Sequence, residues 1–151
     1  MNVSPNVQAV TVGQGAFPGV YPPNVYLVTG GNRAVFIDTA YGNDDEVESQ
    51  LDHWEAAGRP DIAAIVLTHR HADHVGGAVR LHKATGGEIV SSPAEKEPIE
   101  QALDRFEVGR TVADGETVDL GGATLEYVHT PGHTMGSLCV YHREQGLLFT
   151  G

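Results

Sequence analysis

The apolar positions change period along the chain, and each change marks an element. Val7 to Val12 alternates as a short strand does, and Gly13 to Pro23 is a Gly/Pro-rich loop placed to border a pocket. Asn24 to Thr29 and Arg33 to Asp38 are β-branched and apolar runs; Gly30-Gly31-Asn32 between them supplies the positive φ angles of a tight β-hairpin. After Gly42, the stretch Asn43-Asp44-Asp45-Glu46 suits a helix N-terminus by capping and by the macrodipole. Val47, Leu51 and Trp54 follow at i, i+4 and i+7, predicting a helix that buries one stripe against a sheet and stops near Gly58.

From Asp61 to Thr68 the residues Ile62 to Leu67 are continuously apolar, a run short enough for a strand buried on both faces. Val75, Ala78, Val79 and His82 then repeat at i, i+3, i+4 and i+7, predicting one helix from about His74 to the break at Gly86-Gly87. Glu88 to Ser91 is a further strand, and Pro93 and Pro98 each stand where a helix can begin. From Glu116 onward the pattern becomes strands over Thr117–Leu120, Ala123–His129, Ser137–His142 and Leu147–Thr150, separated by turns. No internal repeat or low-complexity tract is discernible.

The 151 residues suit one domain with one core, taken as 1–151, and the 40% hydrophobic content is that of a globular chain. A formal charge of -11 disfavours nucleic acid, whose phosphates need a basic surface. The one cysteine, Cys139, excludes an internal disulfide and is expected to pack mid-strand in the core as a small hydrophobe. The N-terminal residues lack the pattern of a signal peptide and no segment is apolar for long enough to span a bilayer, so a soluble, cytoplasmic protein is expected.

The candidate chemistry is concentrated after the buried strand, in Thr68-His69-Arg70-His71-Ala72-Asp73-His74. Residues i and i+2 point to different sides of a helix, so His69 and His71 are best presented by an extended or looped backbone. Asp73 and His74 fall at the start of the next helix and can aim elsewhere, so one loop can feed two neighbouring metals. A single histidine here would be read as a surface residue, and Asp73 alone as a helix cap. Four potential ligands within six residues favour a metal site, and imidazole with carboxylate and no thiolate suits catalytic zinc, iron or manganese. In His129-Thr130-Pro131-Gly132-His133-Thr134, proline and glycine fix a turn that makes His133 a natural third ligand beside His69 and His71. The same histidine taken alone is as well read as a solvated loop residue.

These residues resemble the metallo-β-lactamase superfamily, whose hallmark H-x-H-x-D-H stands here as His69-Arg70-His71-Ala72-Asp73-His74. Val35 to Thr39 resembles that family's early strand ending in aspartate. Thr130 to Thr134 resembles its third-histidine turn, and Leu147 to Gly151 resembles the strand leading to its metal-bridging aspartate. The resemblance implies an α/β fold, the αββα sandwich, of which this chain supplies the first half and part of the second. It implies that His69, His71 and His133 hold one metal and that Asp73 and His74 contribute to a second. Asp38 is then an orienting residue, although a strand-ending turn residue is an equally good reading; His53, His82, His129 and His142 match no ligand position.

By the same resemblance the chain is a metal-dependent hydrolase, with two zinc ions expected in the full-length enzyme. It activates water for cleavage of an ester, thioester or lactone-like bond in a small molecule, with Asp73 also assisting the water as a catalytic residue. The motif pair looks most like hydroxyacylglutathione hydrolases (glyoxalase II), with selectivity expected from the loop Gly13 to Pro23 and from the C-terminal region. Because the resemblance carries a bridging aspartate and a last histidine beyond Gly151, a fragment is expected, with open sheet edges that favour a homodimer. The alternatives are a mononuclear iron persulfide dioxygenase-like oxidoreductase and a non-catalytic metal-binding fragment.

Overall fold

The structure, a computed structural model, describes residues 1–10 and 22–151. Its strands form two sheets. The larger is seven-stranded in chain order: β1 (Asn2–Ser4), β2 (Val7–Val10), β3 (Val25–Gly30), β4 (Arg33–Ile37), β5 (Asp61–Val66), β6 (Ile89–Ser91) and β7 (Arg110–Thr111). β1 to β4 are antiparallel, whereas β4 to β7 are parallel, because long crossovers containing α1 (Asp44–Ala56), α2 (Ala72–Val75), α3 (Ala78–Thr85) and α4 (Lys96–Ala102) return the chain to the same end each time. The second sheet is antiparallel, in the order β11 (Leu147–Phe149), β10 (Leu138–His142), β9 (Thr124–His129), β8 (Thr117–Asp119).

Burial by alternation makes three layers. On one face of the large sheet, Leu27, Phe36, Ile65 and Ile89 pack against Val47, Val75, Leu81 and Ile99 of the helices. On the other face, Val28, Val35, Ile37, Ala64 and Val66 meet Leu125, Tyr127, Leu138 and Val140 of the small sheet. This is the expected α/β sandwich, as helix, sheet and sheet; among the described residues no helix covers the outer face of the small sheet. Burying a side chain such as Phe36 or Leu138 contributes about 1.5–3 kcal/mol.

Most elements stand where the hydrophobic pattern puts them, and the exceptions have physical causes. The hairpin β3–β4 pairs Gly30 with Arg33, leaving Gly31 and Asn32 as its turn. The helix expected from His74 to Gly86 is two helices, parted at Gly76-Gly77. A Cβ at Gly76 would collide with the backbone of Tyr41, so the segment after β4 can lie against the break only because Gly76 has no side chain. Neither proline opens α4 at its first position: Pro93 lies in the preceding turn and Pro98 is the third helical residue, where no intrahelical N–H bond is forfeited. Thr11, Val12 and most of the loop Gly13 to Pro23 lie outside the described residues. The very short β1 and β7 carry too little pattern to be foreseen. Cys139 is buried, but between the inward-facing Leu138 and Val140, so it packs on the outer face of β10 beside Thr130 rather than in the inter-sheet core.

Candidate metal centre

The parallel strands β4 and β5 deliver two adjacent chain segments to one edge of the molecule. β4 ends at Asp38, which is fully buried and takes φ 59°, a left-handed conformation that aspartate tolerates better than most residues. That turn aims the Asp38 carboxylate across at the neighbouring segment. Asp38 Oδ1 accepts the Thr68 backbone N–H at 2.8 Å, and Oδ2 accepts the Thr68 hydroxyl at 2.8 Å and lies 2.7 Å from His74 Nδ1. Three donors on one buried carboxylate lock the start and end of the segment 68–74 together.

The histidines follow from that lock. His69 is 5% exposed, with Nδ1 3.0 Å from the Thr68 hydroxyl, and its Nε2 is buried without a hydrogen-bond partner. Burial, together with the neighbouring His74, pushes its pKa down to about 4, so the ring is neutral near pH 7 and keeps a lone pair. His71 and His133 are exposed, with His71 Nδ1 3.0 Å from His133 Nε2. One ligand atom from each of His69, His71 and His133 lies within 4.8 Å of the others. A buried, unpartnered imidazole nitrogen beside two convergent ring nitrogens fits a divalent ion better than any hydrogen-bonding scheme the three rings can make among themselves.

Asp73 and His74 stand beside the three histidines, the His74 ring 4.1 Å from that of His69, but among the described residues they are not part of the converging group. They lie on α2, with His74 Nε2 3.6 Å from Asp73 Oδ2, and Nδ1 of His74 is already committed to Asp38. For His74, burial is the largest single influence and works against charge; the hydrogen bond and charge of Asp38, with the charge of Asp73, outweigh it and raise the pKa. Thr68, His69, His74, Thr130, His133 and Ser137 line a cavity of about 320 Å³ together with Leu138, Thr150 and Gly151. Of the five residues singled out from sequence, His69, His71 and His133 converge, and His69, His74 and His133 line the cavity, whereas Asp73 joins neither group and is placed by its contact with His74. His129 and His142 bond to Val112 O and Asn6, and His53 and His82 to nearby backbone oxygens, all outside that convergence.

Sequence reasoning passed over two residues. Thr68 ends the buried strand and opens the histidine segment without a role of its own in the sequence, yet its hydroxyl joins Asp38 to His69. Glu95 belongs to no motif: it is fully buried, and its two carboxyl oxygens accept the backbone N–H groups of Arg70 at 2.9 Å and Gly136 at 3.1 Å. Thr68 was visible as the residue before the cluster, whereas Glu95 stands alone in an ambiguous segment and has no spacing that marks it.

Comparison with known proteins agrees with this geometry. The family model of the metallo-beta-lactamase superfamily matches residues 18–151. A hydroxyacylglutathione hydrolase of Hyphomonas neptunium is 33% identical over 137 residues, covering 89% of this chain and 49% of the relative. The lactamase-like protein aptB of Emericella nidulans is 34% identical over 129 residues, covering 85% of this chain and 38% of the relative. This chain thus spans half or less of the length of these relatives. Among solved structures, a metallo-beta-lactamase from Pontibacter korlensis superposes with a TM-score of 0.81 at 25% identity, covering 100% of this chain and 69% of that one. With the sandwich fold, the ordered motifs and the family match in agreement, the chain belongs to the metallo-beta-lactamase superfamily.

Proposed function

We propose that this chain carries the metal-binding core of a hydrolase that cleaves an ester, thioester or lactone-like bond in a small molecule, with zinc as its resident ion. The observation that carries the reading is the convergence of His69, His71 and His133, with the buried Nε2 of His69 unpartnered, beside a cavity large enough for a small acyl group. His69, His71 and His133 would hold the first ion, and Asp73 and His74 would contribute to a second. All-nitrogen and carboxylate donors without cysteine suit zinc in a site open to water. When bound, such an ion supplies Lewis acidity and lowers the pKa of water toward neutrality.

The chain's own residues supply orientation and proton handling. Asp38 holds the proton on His74 Nδ1 and so directs Nε2 outward. Thr68 fixes the ring of His69. Asp73, part exposed and with Oδ2 3.6 Å from His74 Nε2, would take a proton from water at the site. The relatives named hydroxyacylglutathione hydrolase favour a thioester among the candidate substrates, and the cavity hydroxyls of Thr130 and Ser137 suit a polar acyl chain.

The test is elemental analysis of the purified chain with its intact mass recorded, followed by thioester, ester and lactone turnover before and after chelation. Bound zinc with chelator-sensitive thioester cleavage is the expected result. Iron alone with oxygen uptake, or loaded protein inert toward all three bond types, would overturn it.

A further inference from the structure

The three histidines of the first site come from two sheets. His69 and His71 follow β5 of the large sheet, while His133 sits in the turn between β9 and β10 of the small one. Apolar packing between sheets is non-directional and cannot by itself hold ring nitrogens in register to a few tenths of an ångström. Directional bonds have to cross between the two ligand loops. One backbone bond does so beside the cluster, from Leu138 N to Thr68 O at 3.0 Å. Beyond the contact of the His71 and His133 rings themselves, further ones converge on the segment after β6.

Glu95 is the centre of that convergence. Its Oε2 accepts the N–H of Arg70, the residue between His69 and His71, and its Oε1 accepts the N–H of Gly136, three residues after His133. The Arg70 guanidinium also lies 3.7 Å from Oε1. From the same segment, the Ser92 hydroxyl donates to Gly136 O at 2.5 Å, so both polar groups of Gly136 are held. Gly136 leaves no room for anything else: a Cβ there would stand 2.6 Å from Glu95 Cγ and 2.6 Å from Ser92 Oγ. A fully buried carboxyl group whose two oxygens accept from both histidine-bearing loops ties those loops together.

We infer that Glu95 is a positioning residue that sets His133 against the His69–His71 pair by clamping the two ligand-bearing loops, with Ser92 as its auxiliary. The inference rests on the reading of these three histidines as a metal site. Glutamine at position 95 is the discriminating substitution, because a carboxamide keeps one acceptor but turns an NH2 group toward the second backbone N–H.

The experiment compares the parent chain with Glu95→Gln and Ser92→Ala. Cobalt(II) binding is followed by visible absorption, and backbone amide exchange is measured by NMR on the metal-free proteins. In Glu95→Gln, exchange at Arg70 or Gly136 should accelerate at least about tenfold, and cobalt should bind about 10- to 100-fold more weakly with a changed visible spectrum. Ser92→Ala, which removes only a hydroxyl, should show the same spectral change to a smaller degree, and it reads the clamp even if Glu95→Gln is insoluble. Parent-like exchange, affinity and spectrum in both variants would overturn the proposal. A parent chain that binds no cobalt would overturn the metal-site reading instead, while the exchange data on the metal-free proteins would still decide whether Glu95 clamps the loops.

Discussion

Asp38 and His74 stand 36 residues apart in sequence and 2.7 Å apart in space, carboxylate Oδ2 to imidazole Nδ1. Asp38→Asn isolates what this pair does. Asparagine tolerates the left-handed backbone at position 38, so the turn survives, but a carboxamide cannot accept from Thr68 N, the Thr68 hydroxyl and His74 Nδ1 at once. Leaving one buried donor unmet costs about 1–3 kcal/mol. A fall in Tm of roughly 2–10 °C is expected for a chain of this size. Thermal unfolding of the metal-free proteins measures it, and an unchanged midpoint would contradict the role given to Asp38.

Substituting the two classes of histidine should have different consequences for metal content. His71→Ala removes one of the three convergent ligands and should empty the first position, whereas His74→Ala leaves that triad whole and should affect only the adjoining one. Elemental analysis of dialysed protein distinguishes the two. Full metal retention in His71→Ala would refute the ligand assignment.

Glu144 gives the fold a pH dependence remote from the metal centre. Its carboxylate accepts the Thr124 N–H at 2.8 Å, and the backbone and hydroxyl of Thr124, with a lesser contribution from His142, hold its pKa at about 2 against an ordinary 4.5. His142 Nδ1 is 3.3 Å away, within ion-pair range but without hydrogen-bond alignment. A depressed acid stabilises the native state above its unfolded pKa and loses that contribution as pH falls through the folded value. The advantage of the parent over Glu144→Gln in urea unfolding should therefore be constant above about pH 5 and fade between 4.5 and about 2. An advantage that persists at pH 2 would show that charge is not its source.

Gly76 and Gly132 form a paired test of close approach. Alanine at 76 must displace the backbone of Tyr41, which is not a flexible side chain that can swing away, and a loss of at least about 1–3 kcal/mol is expected. Alanine at 132 meets nothing within 4 Å, and its cost should stay within about 0.5 kcal/mol. Equal unfolding midpoints for the two variants would mean that the segment after β4 does not need the gap in the helix.

What could be read from the sequence divides by range. The candidate ligands His69, His71, Asp73 and His74 were legible because they lie within six residues of chain, where spacing alone limits which way each side chain can aim. Asp38 was half legible: a strand-ending aspartate is as often a turn residue, and only the pairing of β4 with β5 brings it against Thr68 and His74. Glu95 was illegible because its partners, Arg70 and Gly136, are backbone groups 25 and 41 residues away, and a backbone amide leaves no mark in a sequence. The break at Gly76-Gly77 was hidden for a related reason, since the apolar period runs through it unchanged and the obstacle, Tyr41, belongs to another segment.

The division of the ligands between two sheets has a mechanical corollary. An ion gripped by His69 and His71 on one side and His133 on the other would act as a rivet through the sandwich, and at a hundred times its Kd would add about 2.7 kcal/mol against unfolding. Linkage runs the other way as well. A void opened at Leu125 or Leu138, where the sheets interlock, would be felt by the ion as a loosened seat, so a metal titration doubles as a gauge of how firmly the two halves of the core are pressed together.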